Sequence, residues 1–167
     1  SRGTARICGE GRFAPDTSFL DINLVDFPLS LVPLPPANEL ALSGLVNVEF
    51  AGRTEGELWY GNGKLLTLDA QAQRTSAVDE GVQPTVQPFE LTANVTIDRS
   101  QAIGDVLLDA GELLNATGEF SVADVARYDA SADFVLHSQS DSLAAWDGWL
   151  PELRIAAGSL DSSVRVA

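Results

Sequence analysis

LTANVTID, residues 91–98, alternates apolar and polar side chains from its first residue to its last. Leu91, Ala93, Val95 and Ile97 would share one side of an extended chain, because successive side chains of a β-strand point to opposite faces of a sheet. The intervening positions carry threonine, asparagine and aspartate. The stretch therefore predicts a strand with one apolar face and one solvated face.

Four further stretches repeat this alternation along the chain: FLDINL (19–24), GLVNVEF (44–50), LLNATGEFSV (113–122) and SLDSSVRVA (159–167). Strands with one apolar side and short connections are typical of an antiparallel sheet whose other side faces water. The 167 residues suit one domain with a sizeable core. The sequence thus predicts a single all-β domain over residues 1–167, built on an antiparallel sheet.

Glycine-containing stretches mark the expected turns. Asn62-Gly63 lies between two β-prone runs and predicts a hairpin, since both residues tolerate positive φ. AGRTEGE (51–57) and LDAGELL (108–114) predict further tight turns. Residues 76–88 contain two prolines and little periodicity, and they are predicted to form the longest loop.

One stretch near the C-terminal end has helical features. In SDSLAAWDGWLPEL (140–153), Ser140 or Asp141 can cap the N-terminus, and Gly148 can end the helix. This predicts a short helix of about two turns. The earlier stretch 25–40 contains four prolines and predicts an irregular segment or a single turn.

The two proline-containing stretches belong to a repeat. Each follows a strand and leads through a short apolar strand and a Ser-Gly or Gly-Ser break into an alternating strand. Aligning Gly44 with Gly158 spaces the copies about 114 residues apart. The chain also begins without a methionine or an apolar leader. Together these features predict a fragment of a longer repetitive β protein.

Charge and composition argue against several classes of partner. The formal net charge of −14 repels nucleic-acid phosphates and anionic lipid headgroups at long range. No apolar run approaches the roughly 18 residues of a membrane-spanning helix. Cys8 is the only cysteine, so an internal disulfide cannot form, and we predict that its side chain is a small buried apolar group.

The sequence offers no clear catalytic or metal-binding constellation. His137 is the only histidine, falls on a predicted polar face and has no nucleophile-elbow motif beside it. Zinc needs clustered cysteine and histidine side chains, and the chain has one of each, far apart. We therefore predict no enzymatic activity, no metal site and no cofactor, with a hydrolase that uses His137 as a distant alternative.

Two longer stretches resemble the C-terminal region of the TamB (translocation and assembly module) proteins, within the wider AsmA-like group. They are LALSGLVNVEFAGRTEGELWYGNGKLLTLDAQ (40–71) and WLPELRIAAGSLDSSVRVA (149–167). The shared style is a Leu/Pro-rich turn, a leucine–serine–glycine step into an alternating strand, and strands that lead to a short glycine turn. It covers most of residues 17–167. The chain has GRTEGELWYGNG (52–63) where the family pattern has a proline-led step.

The resemblance implies a long periplasmic β-structure in a Gram-negative envelope, anchored in the inner membrane by a segment outside this chain. Its strands would curl into a half-open, taco-like groove with an apolar lining. The implied cargo is phospholipid acyl chains or unfolded outer-membrane protein strands. The implied partner is a TamA-like, barrel-inserting protein of the outer membrane, contacted through other parts of the full protein.

The strand pattern predicts which residues line such a groove. Their side chains are hydrocarbon, and an apolar sheet face must be covered by another layer or by a ligand. The predicted lining residues are Leu20, Ile22, Leu24, Val46, Val48, Phe50, Leu66, Leu68, Leu91, Val95, Ile97, Leu114, Phe120, Val122, Phe134, Leu136, Ile155, Leu160 and Val164.

The alternative is a β-sandwich module that binds carbohydrate or acts as an adhesin. Trp146 and Trp149 would then form a carbohydrate platform, although packing at the end of the apolar interior is the favoured interpretation. The terminal strand Ser159–Ala167 also predicts an unpaired edge that could recruit a second copy.

Overall fold

The computed structural model describes residues 5–14, 16–33, 40–74, 86–127, 132–140, 146, 149 and 159–166. Within these ranges the chain is almost entirely β-strand, so the predicted all-β class is confirmed. The strands are β1 (Arg6–Arg12), β2 (Phe19–Pro28), β3 (Leu40–Glu55), β4 (Leu58–Arg74), β5 (Val86–Asp98), β6 (Gln101–Asp109), β7 (Asn115–Val122), β8 (Ala132–Ser140) and β9 (Leu160–Val166). A 3-10 turn at Leu29–Leu31 follows β2.

All nine strands form one sheet, and their spatial order is their order in the chain. Every neighbouring pair is antiparallel, which gives a continuous meander with β1 and β9 at its two edges. Antiparallel neighbours can be joined by short turns, so the chain needs no crossover connections. The predicted antiparallel sheet is confirmed.

Two of the predicted tight turns are present. Gly56 and Glu57 join β3 to β4, and Gly56 has a φ of 61°. Gly111 also has a φ of 61° and lies in the turn between β6 and β7. Both are left-handed conformations, which glycine adopts without a side-chain penalty.

The predicted hairpin at Asn62-Gly63 is wrong, because β4 runs without interruption from Leu58 to Arg74. Gly63 serves a different purpose, since it faces the side chains of Phe50 and Val95. A Cβ atom on Gly63 would lie 3.2 Å from Phe50 Cδ2 and 2.9 Å from Val95 Cγ1. The glycine makes room for large neighbours on the adjacent strands instead of reversing the chain.

Other predicted segments differ at their borders. Residues 86–88 of the predicted long loop belong to β5, and residues 75–85 lie outside the described residues. Residues 25–28 extend β2, and the expected single turn follows at Leu29–Leu31. Most of the predicted helix 140–153 lies outside the described residues, as does the middle of the second repeat copy.

Three register shifts lie beside one another in β2, β3 and β4. They fall between Leu24 and Phe27, between Ser43 and Leu45, and between Leu66 and Ala70. Each shift has a residue with positive φ: Asp26 at 55°, Gly44 at 101° and Asp69 at 50°. β-bulges bend a strand and increase its twist, so bulges on adjacent strands bend the sheet in one place.

The best-packed part of the molecule lies at this bend. Leu29, Val46 and Ala70 are buried there. Partly buried apolar side chains surround them: Phe27, Leu42, Val48, Leu65 and Phe89. Leu29 of the 3-10 turn packs against β3 and completes this cluster. Further buried apolar residues lie on β6, on β7 and in the turn between them: Ala102, Ala110, Leu113 and Ala116. Within the described residues, no second layer extends along the whole sheet.

A pair of glycine substitutions tests the bulge. We expect Gly44→Ala to lower the free energy of unfolding by about 3 kcal/mol or more, because φ is positive and the added Cβ meets backbone atoms. That Cβ would lie 2.5 Å from the Asp69 carbonyl oxygen. Gly56→Ala is the matched control, with positive φ and no atom within 4 Å of the added Cβ. It should cost about 1 kcal/mol. Equal losses of unfolding free energy for the two variants, measured by urea denaturation, would contradict this account of the bulge.

Candidate functional site: the apolar face of the sheet

Strand register gathers the apolar side chains on one face, which we call the apolar face. Its central row is a chain of cross-strand partners with one residue from each strand: Ile7, Leu24, Val48, Leu65, Ala93, Val106, Gly118, Leu136 and Val164. Cross-strand partners share a face, so no polar residue interrupts this row. Neighbouring strands lie about 4.8 Å apart, which makes the row about 38 Å long.

The next row combines phenylalanines with glycines. Phe50 is the cross-strand partner of Gly63, and Phe120 is the partner of Gly104. A Cβ atom on Gly104 would collide with the ring of Phe120. Each ring therefore lies over bare backbone of the neighbouring strand, where any side chain would displace it.

The opposite face, which we call the polar face, carries most of the charged and amide side chains. Asn94 donates a hydrogen bond from Nδ2 to Asp105 Oδ2 at 2.9 Å, between β5 and β6. Arg165 lies 3.6 Å from Asp133, between β9 and β8. These groups are largely exposed, so their pairings contribute little to stability. They keep this face wet while the other face stays apolar.

Most of the predicted lining residues share the apolar face. Register places on it Leu20, Ile22, Leu24, Val46, Val48, Phe50, Leu91, Val95, Ile97, Phe120, Val122, Phe134, Leu136, Leu160 and Val164. Leu114 lies in the turn before β7, and Ile155 lies outside the described residues.

Leu66 and Leu68 lie on the polar face, away from the other predicted lining residues. Leu66 is opposite Asn47 and Thr92, whereas Leu65 is opposite Val48 and Ala93. In GKLLTLDA (63–70), leucines occupy both sets of alternating positions. The sequence alone therefore does not decide which of them face the apolar side.

Thr67, which is 3% exposed, determines which side chains of β4 lie on the apolar face. Its Oγ1 accepts a hydrogen bond from the Leu91 backbone N–H at 2.8 Å, beside the bulge at Asp69. A threonine on the buried side thus satisfies a backbone donor that the bulge removes from the regular ladder.

Sequence reasoning missed several lining residues. β1 and β6 were not recognised as strands, so Ile7, Val106 and Leu108 were left out. AIGDVLLD (102–109) does carry the signal, with Ala102, Val106 and Leu108 on one side. The glycine between them hides the alternation, because it contributes no apolar side chain.

The apolar face is not covered by a second sheet or a long helix within the described residues. None of the seven phenylalanines is buried, although all seven are described. Ile22 and Val164, near opposite edges of the sheet, are 38% and 52% exposed. A closed β-sandwich buries such side chains between its two inner faces. The packing described here is that of a single layer with a buried cluster at the bend and a few small buried residues at β6 and β7.

Trp146 and Trp149, the two described residues between β8 and Ser159, contact the ends of two strands. Trp146 donates from Nε1 to the hydroxyl of Ser140 at 3.0 Å, and Ser140 is fully buried at the end of β8. Arg74, at the end of β4, donates to the Trp149 carbonyl oxygen at 3.1 Å. The backbone of Trp149 thus lies at the end of β4. The hydrogen bond of the Trp146 indole supports packing, and not a ligand platform, as the role of Trp146.

The reactive side chains are dispersed. His137 is exposed on the polar face, opposite Thr117 and Ser163. Among the described residues, no group of three or more His, Cys, Asp or Glu side chains is arranged to hold a metal ion. In the same ranges, no helix has the length and apolar character needed to cross a bilayer.

Cys8 is exposed, so the prediction of a buried thiol is wrong. Its strand was not recognised as an edge strand. Cys8 lies opposite Asn23 on the polar face of β1, where only β2 contacts the strand.

A charge placed on the apolar face tests whether that face is uncovered. We expect Val95→Asp to lower the free energy of unfolding by only about 1–2 kcal/mol, since the carboxylate can remain hydrated. Thr96→Asp, one residue away on the exposed polar face, should change it by less than about 1 kcal/mol. Urea denaturation measures both. A loss of more than about 4 kcal/mol for Val95→Asp alone would show that the position is sealed.

No protein-family model, curated protein or solved structure matches this chain. The likeness to TamB proteins accordingly rests on the two stretches quoted from residues 40–71 and 149–167.

Proposed function

We propose that this chain is a non-enzymatic segment of a TamB-like envelope-biogenesis protein, and that its apolar face lines a groove that holds lipid acyl chains. The observation that carries the proposal is the central row, which is apolar across all nine strands and has no second layer over it within the described residues. Binding of this kind needs no catalytic group.

The dimensions suit an acyl chain. A row of about 38 Å exceeds the roughly 15 Å that one acyl chain spans in a single leaflet, half of the bilayer's hydrocarbon core. Each methylene buried against the face contributes about 0.8 kcal/mol, so affinity grows with chain length. The glycine and phenylalanine row broadens the surface beside the central row.

An acyl chain fits this face better than an unfolded strand does. Backbone N–H and C=O groups of a peptide need hydrogen-bond partners when they leave water. The apolar face offers them almost none, because the backbone groups of its interior strands are paired within the sheet. An extended peptide is better served by a sheet edge, where unpaired backbone groups are available.

The polar face supports the same proposal. A net charge of −14 helps to keep a protein with an uncovered apolar face in solution. In the full protein we place the segment in the periplasm, with an inner-membrane anchor and a TamA-like outer-membrane partner contacted elsewhere.

The carbohydrate-binding or adhesin alternative finds less support. Trp146 uses its indole N–H for Ser140, and both tryptophans are half-buried. A stacking platform needs exposed aromatic faces. The single-layer sheet also differs from the sandwich that this alternative predicts.

Photo-crosslinking tests the proposal directly. Benzoylphenylalanine replaces Val95 or Phe120 on the apolar face, or Asn94 or Glu119 on the polar face. Each protein is mixed with phosphatidylethanolamine vesicles that carry radiolabelled acyl chains, and irradiated. We expect label on the protein from the two apolar positions and little from the two polar ones. Each pair shares a strand and adjacent positions, so the face is the main variable.

Equal labelling from both faces would overturn the proposal. Labelling of an added unfolded outer-membrane protein from Val95 and Phe120, without lipid labelling, would replace acyl chains by protein strands as the cargo.

A further inference from the structure

Among the described residues, β1 is an edge strand, and no other described strand pairs with its outer side. All seven of its residues are exposed, and it pairs only with β2. Unpaired backbone groups along such an edge are a template for another strand. The sequence of β1, RICGEGR, contains no proline that would block pairing.

The turns determine which backbone groups of β1 point outward. The two-residue turn between β3 and β4 makes Glu55 and Leu58, both on the polar face, a hydrogen-bonded pair. Along a strand, alternate residues form their backbone hydrogen bonds to opposite neighbours. Because the polar-face residues of β3 bond to β4, its apolar-face residues bond to β2. The bond from the Thr54 N–H to the Ser18 carbonyl, 2.8 Å, agrees with this phase.

By the same alternation, the polar-face residues of β2 form the backbone hydrogen bonds to β1. The remaining groups of β1, on Ile7, Gly9 and Gly11, therefore face outward.

The side chains of this edge have an unbalanced charge. Glu10 lies directly opposite Asp21 on the same face. Like charges in that position repel each other. Within the part of the chain that the structure describes, neither Glu10 nor Arg6 has an ion-pair partner. A cation on the outer side of β1 would relieve the repulsion at Glu10.

We propose that β1 pairs antiparallel with β1 of a second copy, centred on Cys8. Ile7 and the partner's Gly9 then form hydrogen-bonded pairs through their outward groups. Arg6 lies opposite the partner's Glu10, and two-fold symmetry repeats this pair. Cross-strand partners share a face, so the two apolar faces join into one surface of eighteen strands, twice the nine of one copy.

Other arrangements fit less well. Centring the pair on Gly9 would set Arg6 against the partner's Arg12, which are like charges. At the other edge of the sheet, the guanidinium of Arg165 already lies 3.6 Å from Asp133. Among the described residues, Arg6 and Glu10 of the β1 edge have no ion-pair partner until a second copy arrives.

Charge reversal tests the pairing without reference to any lipid. Sedimentation equilibrium over a wide concentration range measures the dissociation constant of the dimer. Glu10→Arg or Arg6→Glu alone places like charges opposite each other twice, and each should raise this constant about tenfold or more. The double variant Arg6→Glu/Glu10→Arg restores opposite charges and should return it to near the original value. Both positions are exposed, so the variants should fold.

Cys8 reports the register, since it is the only cysteine. Oxidation in air with copper–phenanthroline should link two copies through Cys8, rapidly in the original protein and the double variant and slowly in each single variant. A chain that stays monomeric at all concentrations would overturn the proposal. So would a dimer that the single variants leave intact, or one that crosslinks through Ser163→Cys in a Cys8→Ser background.

Discussion

The structure depends on one constraint, namely that the nine strands keep their apolar side chains on the same face of the sheet. A shift of one residue in any pairing would move a whole strand's apolar set to the opposite face. The meander keeps the apolar side chains aligned because each strand pairs with the next one in sequence. Wherever the connecting turn is described, it is short. The bulges at Asp26, Gly44 and Asp69 bend the sheet without breaking the phase. The apolar face, and any ligand that it holds, follow from this register.

Glycine has a second role in this sheet besides forming turns. Gly63 and Gly104 lie inside strands, where glycine is normally unfavourable, and each accommodates a phenylalanine ring from the neighbouring strand. The ring shields the bare backbone, and the glycine lets the ring lie low on the sheet. This pairing of aromatic residues with glycine stabilises strands that have few other large partners. It also explains why the apolar face is broad although no second layer covers it.

The sequence predicted the all-β class and the antiparallel sheet, because strict alternation over six or more residues is typical of a strand with one apolar side. It also placed on one side fifteen of the nineteen residues predicted to line a groove, and these share the apolar face. The sequence-based prediction failed where the same residues are compatible with two different structures. Asn62-Gly63 suggested a turn, but the glycine serves Phe50. The consecutive leucines of GKLLTLDA allowed two phases, and the hydroxyl of Thr67 decided between them. Cys8 was placed inside because its edge strand carries two glycines and too few apolar side chains to be recognised.

Relaxation of methyl groups by dissolved oxygen tests the central claim most directly, since oxygen partitions to accessible apolar surface. In a protein with labelled Ile, Leu and Val methyls, we expect strong relaxation at Ile22, Val95 and Val164. Val46 and Leu29, buried in the bent corner, provide the protected reference in the same sample. Strong relaxation at the first set and weak relaxation at the second would show an open apolar face. Protection of Val95, Ile22 and Val164 to the level of Val46 would show a sealed interior and contradict the proposed groove.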